Sequence, residues 1–532
     1  MTDLVDGYEY RSYDARFKAR ASGSLEESID TVLIVDIDQQ SIDDLGNYFR
    51  WFHDYHGDLI DFLESGNPKA IAFDVLFDPE PDPTHDTSFV RATYAGQNVY
   101  HAIALSEADT LNFRPPMDSP PTGFYRHIVN DGETLEDIAR SYYGDAQAAD
   151  YIYSLNEDII GTDRVLADRQ VVRISVPFDT SGKLLQVPDE VAHRFPSGER
   201  FDIAFIDLLN ASKGVGSANF PQDKDGVIRK SPTGVYFKSA NQVYPSLTMA
   251  VAMDLLDVPK NGLEYDFENL LLSMRNRSGD VVRTIPIDEQ GRVYVNYFGT
   301  HRTFRYLPYS WINPDMIPAD YFTDKVIIIG STLAGLMDLR TTPVQETFPG
   351  VEIHANVMMS YLTDSFVQPI SRADNIKAIL LLGFIMGAVL VHFKIILSLV
   401  IAIIVAAGWI LFAYTEFFSA LIVWEVVRPV FGIGLTFLAE NAYKYLVLEK
   451  DKRFLRKSFS TYISPELIDQ LVDEGIEPEL GGSSDILTAY FTDIQSFSSF
   501  SEILTAAQLV ELLNEYLTGM TDILLEHGGY TG

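Results

Sequence analysis

The chain has 532 residues, with 75 acidic and 40 basic side chains, a net charge of −35 and no cysteine. At about 100–200 residues per domain this length calls for several domains, and the acidity argues against nucleic acid as a partner because no basic stripe offsets it. With no cysteine, disulfides, Fe–S clusters, thiolate zinc sites and cysteine nucleophiles are excluded, while the compartment stays open.

The first 30 residues are polar, tyrosine-rich and charged, without a signal peptide or membrane helix. Apolar, β-branched runs follow, with acidic residues at their ends: Thr31 to Asp38, Ala70 to Phe77 and Lys325 to Gly330. Continuous runs of this kind suit strands buried on both faces, and the amphipathic stretches His56–Glu64 and Tyr244–Leu256 suit helices. The expected fold is an α/β sandwich, with hairpin-like additions at Asp225-Gly226 and at Gln290-Gly291 before Arg292–Tyr297. Asp36, Asp38 and Asp74 fall at strand ends, where open α/β sheets bind ligands. They read either as a ligand or cation site or as caps of helices and turns.

One series of motifs carries a resemblance: Tyr13-Asp14-Ala-Arg16-Phe17, Val35 to Ile42, Phe73 to Phe77, Asp225 to Arg229, Tyr244 to Leu247, Gly330-Ser-Thr332 and Pro349 to Asn356. In this order they resemble the second type of CHASE domain. That family consists of extracytoplasmic sensors of bacterial membrane receptors, typically followed by three membrane helices. The resemblance covers residues 1–125 and 178–374 and implies an unidentified extracytoplasmic ligand.

The intervening stretch, residues 126–177, has a different pattern. Thr134 is placed to cap a helix three residues ahead of Asp137, with Leu135, Ile138, Ala139 and Tyr142 on one face. A second helix and a strand to Pro177 complete a β-α-α-β unit. Gly132-Glu-Thr134-Leu135, Ile138-Ala139, Tyr143-Gly144 and Asn156 resemble a LysM module, although Asp168-Arg169 replaces its usual Pro-Gly turn. The resemblance implies peptidoglycan as a partner; a spacer or dimer contact is the other reading of an inserted unit.

From 375 to 439 the sequence is almost continuously apolar and divides into Ile376–Phe393, Ile395–Tyr414 and Phe417–Leu438. Each approaches the ~20 residues that cross a bilayer, so three membrane helices are expected rather than a buried soluble hairpin. Basic residues mark the first turn (His392, Lys394) and crowd the exit of the third helix (Lys444, Lys450, Lys452, Arg453, Arg456, Lys457). Residues 1–374 are then outside and the C-terminus is cytoplasmic, in a bacterial inner membrane. That topology requires export, so an export helix upstream of this chain is expected. The outer part, with 57 acidic and 31 basic residues, carries −26; the remainder, with 18 and 9, carries −9. Glu425 and Arg428 are expected as a pair at membrane depth, serving either a switch or static packing. In the linker, residues 440–480, the spacing of Tyr445, Leu448, Lys452, Leu455, Phe459 and Tyr462 fits a coiled coil in a homodimer, or one amphipathic helix on its own domain.

Phe454 to Glu466 resembles the transducer element of class III nucleotide cyclases, and Leu487 to Glu502, Leu509 to Leu517 and His527-Gly528-Gly529 resemble the start of their α+β, ferredoxin-like catalytic domain, here residues 481–532. The resemblance implies a strand, a metal-binding turn and a helix. Asp493 and the Ile494 carbonyl would hold Mg2+ or Mn2+, two ions per site, because hard cations prefer oxygen. The backbone at Gln495, Ser496, Phe497 and Ser498 would hold the triphosphate of ATP, in preference to GTP. The catalytic residues, including the second metal carboxylate, are expected beyond Gly532, so the chain through Gly532 is expected to be inactive. The whole reads as a membrane receptor adenylate cyclase. A non-catalytic receptor and a cell-wall attachment protein are the alternatives.

Overall fold

The computed structural model describes residues 2–21, 29–77, 83–106, 122–157, 159–177, 182–198, 200–202, 206–238, 241–333, 339–448, 486 and 488–527. In chain order, α1 (Thr2–Ala21) precedes β1 (Ile29–Ile37), and α2 (Gln39–Leu45) and α3 (Asp54–Ser65) lead to β2 (Ala70–Phe73). Next come α4 (Pro83–Gly96) and β3 (Val99–Ser106), then an insert of β4 (Thr122–Ile128), α5 (Leu135–Tyr143), α6 (Ala149–Leu155) and β5 (Val171–Pro177). The second part contributes β6 (Gly214–Ser217), α7 (Leu247–Leu255), β7 (Phe304–Pro308), β8 (Val326–Ser331) and α8 (Gly350–Thr363).

Strands β7-β1-β8-β2-β3-β6 lie side by side, all parallel, and Arg200–Asp202 pairs antiparallel to β3. The apolar runs in β1, β2 and β8 are continuous because both faces are covered. Val32, Ile34, Ala70, Ala72, Val326 and Ile328 share one core with residues of α1, α7 and α8. Leu33, Val35, Ile71, Phe73, Ile327 and Ile329 face the other way, onto α3 and α4. The α/β sandwich expected from the sequence is therefore what forms; Arg292–Tyr294 pairs antiparallel with the sequence-distant Lys230–Pro232, and the Gln290-Gly291 turn adds only a bridge between Ile287 and Val293.

The insert starts at Thr122 rather than at 126, because β4 pairs along its whole length with β5, from Thr122 opposite Pro177 to Ile128 opposite Val171. Thr134 and Asp137 form a reciprocal capping box at the start of α5. Leu135, Ile138, Ala139, Ile152, Val172 and Ile174 enclose a core separate from that of the sheet. Asn156 is fully buried and pins α6 to β5: its Nδ2 donates to Arg173 O at 2.8 Å and its Oδ1 accepts from Arg173 N at 2.7 Å.

After α8, β9 (Gln368–Pro369) leads into α9 (Arg372–Leu390), followed by α10 (Ile395–Ala420), β10 (Ile422–Val423) and α11 (Val427–Tyr443). Among the described residues, α9 and α10 are the two helices long and apolar enough to cross a membrane. Leu380, Phe384, Ile396 and Leu411 stand exposed on them, as lipid-facing residues would. The third expected span, Phe417–Leu438, is corrected. Leu421 takes a positive φ of 57°, and β10 pairs with β9 before the chain enters the 17-residue α11. An unbroken helix from 417 to 438 would put Pro429 in its interior, where it clashes and removes a hydrogen bond; starting at Val427 puts Pro429 in the first turn, where its missing N–H costs nothing.

Two compact units are distinguished, residues 1–383 with 403–433 and residues 384–402 with 434–532. In the second, Lys444 Nζ donates to Leu390 O at 2.5 Å and Phe393 O at 2.8 Å, a cation at a helix C-terminus. The linker from residue 449, with most of the heptad positions and the transducer element, lies outside the described residues. Further on, α12 (Phe497–Ser501) and α13 (Ala506–Glu526) form, α13 with a Thr505–Gln508 capping box. The strand expected ahead of Asp493 is absent from described residues 488–494, which carry no regular secondary structure and are exposed up to Asp493. A strand needs a neighbour to take its backbone hydrogen bonds, and none pairs with it among the described residues.

Candidate functional site

Three strands end side by side at the carboxyl edge of the sheet. Asp36 on β1 lies opposite Gly330 on β8, and Phe73 on β2 lies opposite Ile329, so Asp36, Gly330 and Asp74 form a row across adjacent strands. Side chains alternate along a strand, and this row faces α8. A Cβ on Gly330 would stand 2.7 Å from Val351 Cγ2, so the glycine is what lets the first turn of α8 approach between the two aspartates.

The three aspartates do not converge. Asp38 caps α2, accepting from Ser41 N at 2.8 Å and Ser41 Oγ at 2.7 Å. Asp36 is 1 % exposed and accepts from Thr332 N at 2.8 Å and Thr332 Oγ1 at 2.6 Å. Burial pushes its carboxyl up to about 6 against those bonds. Asp74 instead faces His354 of α8, with Oδ1 3.6 Å from Nε2. His354 is buried against Phe220, 4.4 Å between centroids, and neither ring nitrogen has a hydrogen-bond partner. Among the described residues no group of three His, Asp or Glu side chains could hold a metal ion. The cation reading of Asp36, Asp38 and Asp74 is thus corrected, and capping explains Asp38.

Glu352, one turn before Asn356 on α8, is fully buried. It accepts from Arg302 N at 3.1 Å, Thr303 N at 3.0 Å and the Tyr306 hydroxyl at 2.9 Å, yet burial outweighs these bonds and pushes its carboxyl up to about 7. These bonds fasten the loop entering β7 to α8.

A second cluster ties α1 to the domain. Arg229, 2 % exposed, donates Nε and Nη2 to the two oxygens of Asp14 at 2.9 and 2.8 Å. It also binds Asp225 in the same bidentate fashion and Asp223 at 3.2 Å, and it lies over the Tyr10 ring at 4.5 Å. The bond from Arg229 holds the Asp225 carboxyl below its ordinary range. A planar guanidinium suits two carboxylates at once.

The same helix reaches the segment between α10 and α11. Glu9 accepts from Val426 N and Val427 N, Arg16 donates to Trp424 O at 3.0 Å, and Phe17 meets Phe417 edge-on at 4.9 Å. Arg428 bonds Glu425 and also Asp6 of α1. The pair expected at membrane depth is therefore at the start of α11, against the outer domain. Asp6 and Glu9 were invisible to sequence reasoning; the charged i, i+3, i+4 spacing of Asp6, Glu9, Arg16 and Arg20 is the signal that was there to use.

In the C-terminal segment Asp493 is exposed, the turn at Gln495-Ser496 leads into α12, and Ser496 takes a positive φ of 61°. The Phe497 N–H, one of the amides expected for phosphate, is donated to the Ile494 carbonyl at 3.2 Å.

A doubly covered parallel sheet, fastened by an N-terminal helix to apolar helices of spanning length, defines an α/β domain of a membrane-associated protein. The CHASE2 domain model matches residues 2–402, and the chain belongs to that family of extracytoplasmic sensor domains. No curated protein and no solved structure matches it.

Proposed function

We propose that the chain is the receptor portion of a homodimeric bacterial membrane cyclase that senses an extracytoplasmic signal and forms cyclic AMP and pyrophosphate from ATP, rather than using GTP. The sensing half is carried by one observation, the CHASE2 match across residues 2–402 running into α9 and α10. In this reading α9 and α10 span the inner membrane, the shorter, 17-residue α11 makes the third crossing in place of Phe417–Leu438, residues 1–374 are outside and the C-terminus is cytoplasmic. The contacts of α1 with residues 417–428 support an outer location for the turn between α10 and α11.

The catalytic half rests on the sequence pattern from Phe454 to Gly529. Asp493 and the Ile494 carbonyl are hard oxygen donors that fit Mg2+ or Mn2+, and the carbonyl keeps a second lone pair beside its bond from Phe497. Such ions, when bound, stabilise charge on the attacking and leaving oxygens of phosphoryl transfer. Gln495, Ser496 and Ser498 supply the backbone donors of this reading. The test is cyclic AMP production by cells expressing the whole gene. Asp493→Asn should abolish it, and undiminished production would refute the assignment. A receptor that signals by binding a partner would give no cyclic nucleotide in either case.

The insert supports a second contact. Its separate core and its β-α-α-β order suit a LysM-like module that binds peptidoglycan. Pull-down on peptidoglycan by the chain, lost on deleting residues 122–177, is the expected result; equal retention by both would refute it.

A further inference from the structure

Two neighbouring stripes run along α1. Tyr10, Asp14, Phe17 and Ala21 lie on one, and Asp6, Glu9, Tyr13, Arg16 and Arg20 on the other, each following the i, i+3, i+4 spacing of a helix face. The first stripe is held in the outer domain by the Arg229 cage and by burial of Phe17 and Ala21. The second reaches the start of α11 through Glu9 and Asp6, and returns to the domain through Arg20, which binds Asn296 and Tyr297 O. Glu9 and Asp14 are five residues apart, about 7.5 Å along a rigid helix.

The bonds to Glu9 have a specific consequence. The N–H groups of Val426 and Val427 stand at the start of α11, where a helix has no internal partners for its amides. A carboxylate there satisfies them and meets the positive end of the helix dipole. Burial raises the Glu9 carboxyl above its ordinary range despite these bonds.

We propose that α1 is the strut that couples the outer domain to α11: the Arg229 cage sets the position of α1, and that position decides whether Glu9 caps the first turn of α11. It rests on the reading of the outer domain as a sensor for its purpose, though not for its test. The competing route is the covalent one, in which β9 pairs with β10 and the Asn375 side chain accepts from Glu425 N at 3.2 Å. The strut passes a displacement to α11 without bending the chain between α8 and α9.

The test is hydrogen–deuterium exchange on the full chain in lipid nanodiscs, read at residues 424–430. Glu9→Ala removes the cap directly and should speed exchange there about tenfold or more, as loss of a charge-assisted hydrogen bond does. Asp14→Asn weakens only the far end and should speed the same amides, while Glu9→Gln, which keeps one acceptor oxygen, should fall between Glu9→Ala and the parent. Unchanged exchange at 424–430 in Asp14→Asn, with faster exchange in Glu9→Ala, overturns the strut and leaves a local clamp. Amides of β1 and β8 report on the domain in the same experiment. If they too are loosened by Asp14→Asn, Tyr10→Leu, which removes only the ring over Arg229, decides by the same criterion. No ligand is added, so failure of the sensor reading would leave this outcome untouched.

Discussion

Glu352 offers a direct test of the energetics at the sheet edge. It is fully buried, has no ion-pair partner among the described residues, and its carboxyl is raised from 4.5 to about 7 by burial. A carboxyl whose folded value lies above its unfolded value binds more protons in the native state. Its stabilising contribution is therefore complete below pH 4.5 and is lost as the pH rises through about 7. At about 1.4 kcal/mol per pH unit this amounts to about 3 kcal/mol between pH 4.5 and 8. Glu352→Gln keeps the size and one acceptor and removes the charge, so the stability difference between variant and parent should shift by that amount in favour of the variant over this range. With about 2 °C of melting temperature per kcal/mol for a large domain, the difference in melting temperature should move by about 6 °C. Thermal unfolding of the full chain in detergent at half-unit pH steps measures it. A difference that stays constant from pH 4.5 to 8 would refute a buried, raised carboxyl.

Further substitutions probe other parts of the argument. Gly330→Ala should destabilise by about 1–3 kcal/mol through overpacking against Val351, read as a lower melting temperature; an unchanged value would mean that α8 yields without cost. Asn156→Ala removes the side chain that joins α6 to β5 and should accelerate hydrogen exchange in the insert while leaving β1 and β8 protected, because the two cores are separate. His101 is buried, and burial lowers it from 6.5 to about 3, so the unfolded chain takes up a proton first and stability falls as the pH drops from 6.5 toward 3. His101→Phe, stacked like the parent on Phe73, should lose less stability between pH 7 and 4.5 than the parent does, measured by urea unfolding.

The central strands were legible because burial on both faces leaves short apolar, β-branched runs, Val32 to Val35 in β1 and Val326 to Ile329 in β8. Thr134 was legible for a local reason, since a capping box needs only residues three apart. By contrast α1 buries charge: Asp14, Arg16 and Arg20 find partners far along the chain, and hydropathy periodicity does not report polar contacts of that kind. The break between α10 and α11 was hidden by composition. Ile422 and Val423 are as apolar as the helices around them; Pro429 was the sequence signal against an unbroken helix, and the pairing of β10 with β9 fixes where the break falls. The row of aspartates was legible as strand ends, but which carboxylate caps, which binds a loop and which faces a histidine depends on loops distant in sequence.

The two clusters of buried charge divide the domain's work. Around Arg229 one buried cation meets three carboxylates, with its planar fork shared between Asp14 and Asp225, so the guanidinium's donors are taken up inside the joint. Removing Arg229, the most buried member, would leave Asp14, Asp223 and Asp225 facing one another without their common cation. At the sheet edge the balance is opposite. Asp36 and Glu352 sit in no ion pair among the described residues, and burial raises both carboxyls toward neutrality. Asp36 is held by Thr332, and Glu352 by Arg302, Thr303 and Tyr306, so each carboxyl is bound by neutral donors rather than by a cation.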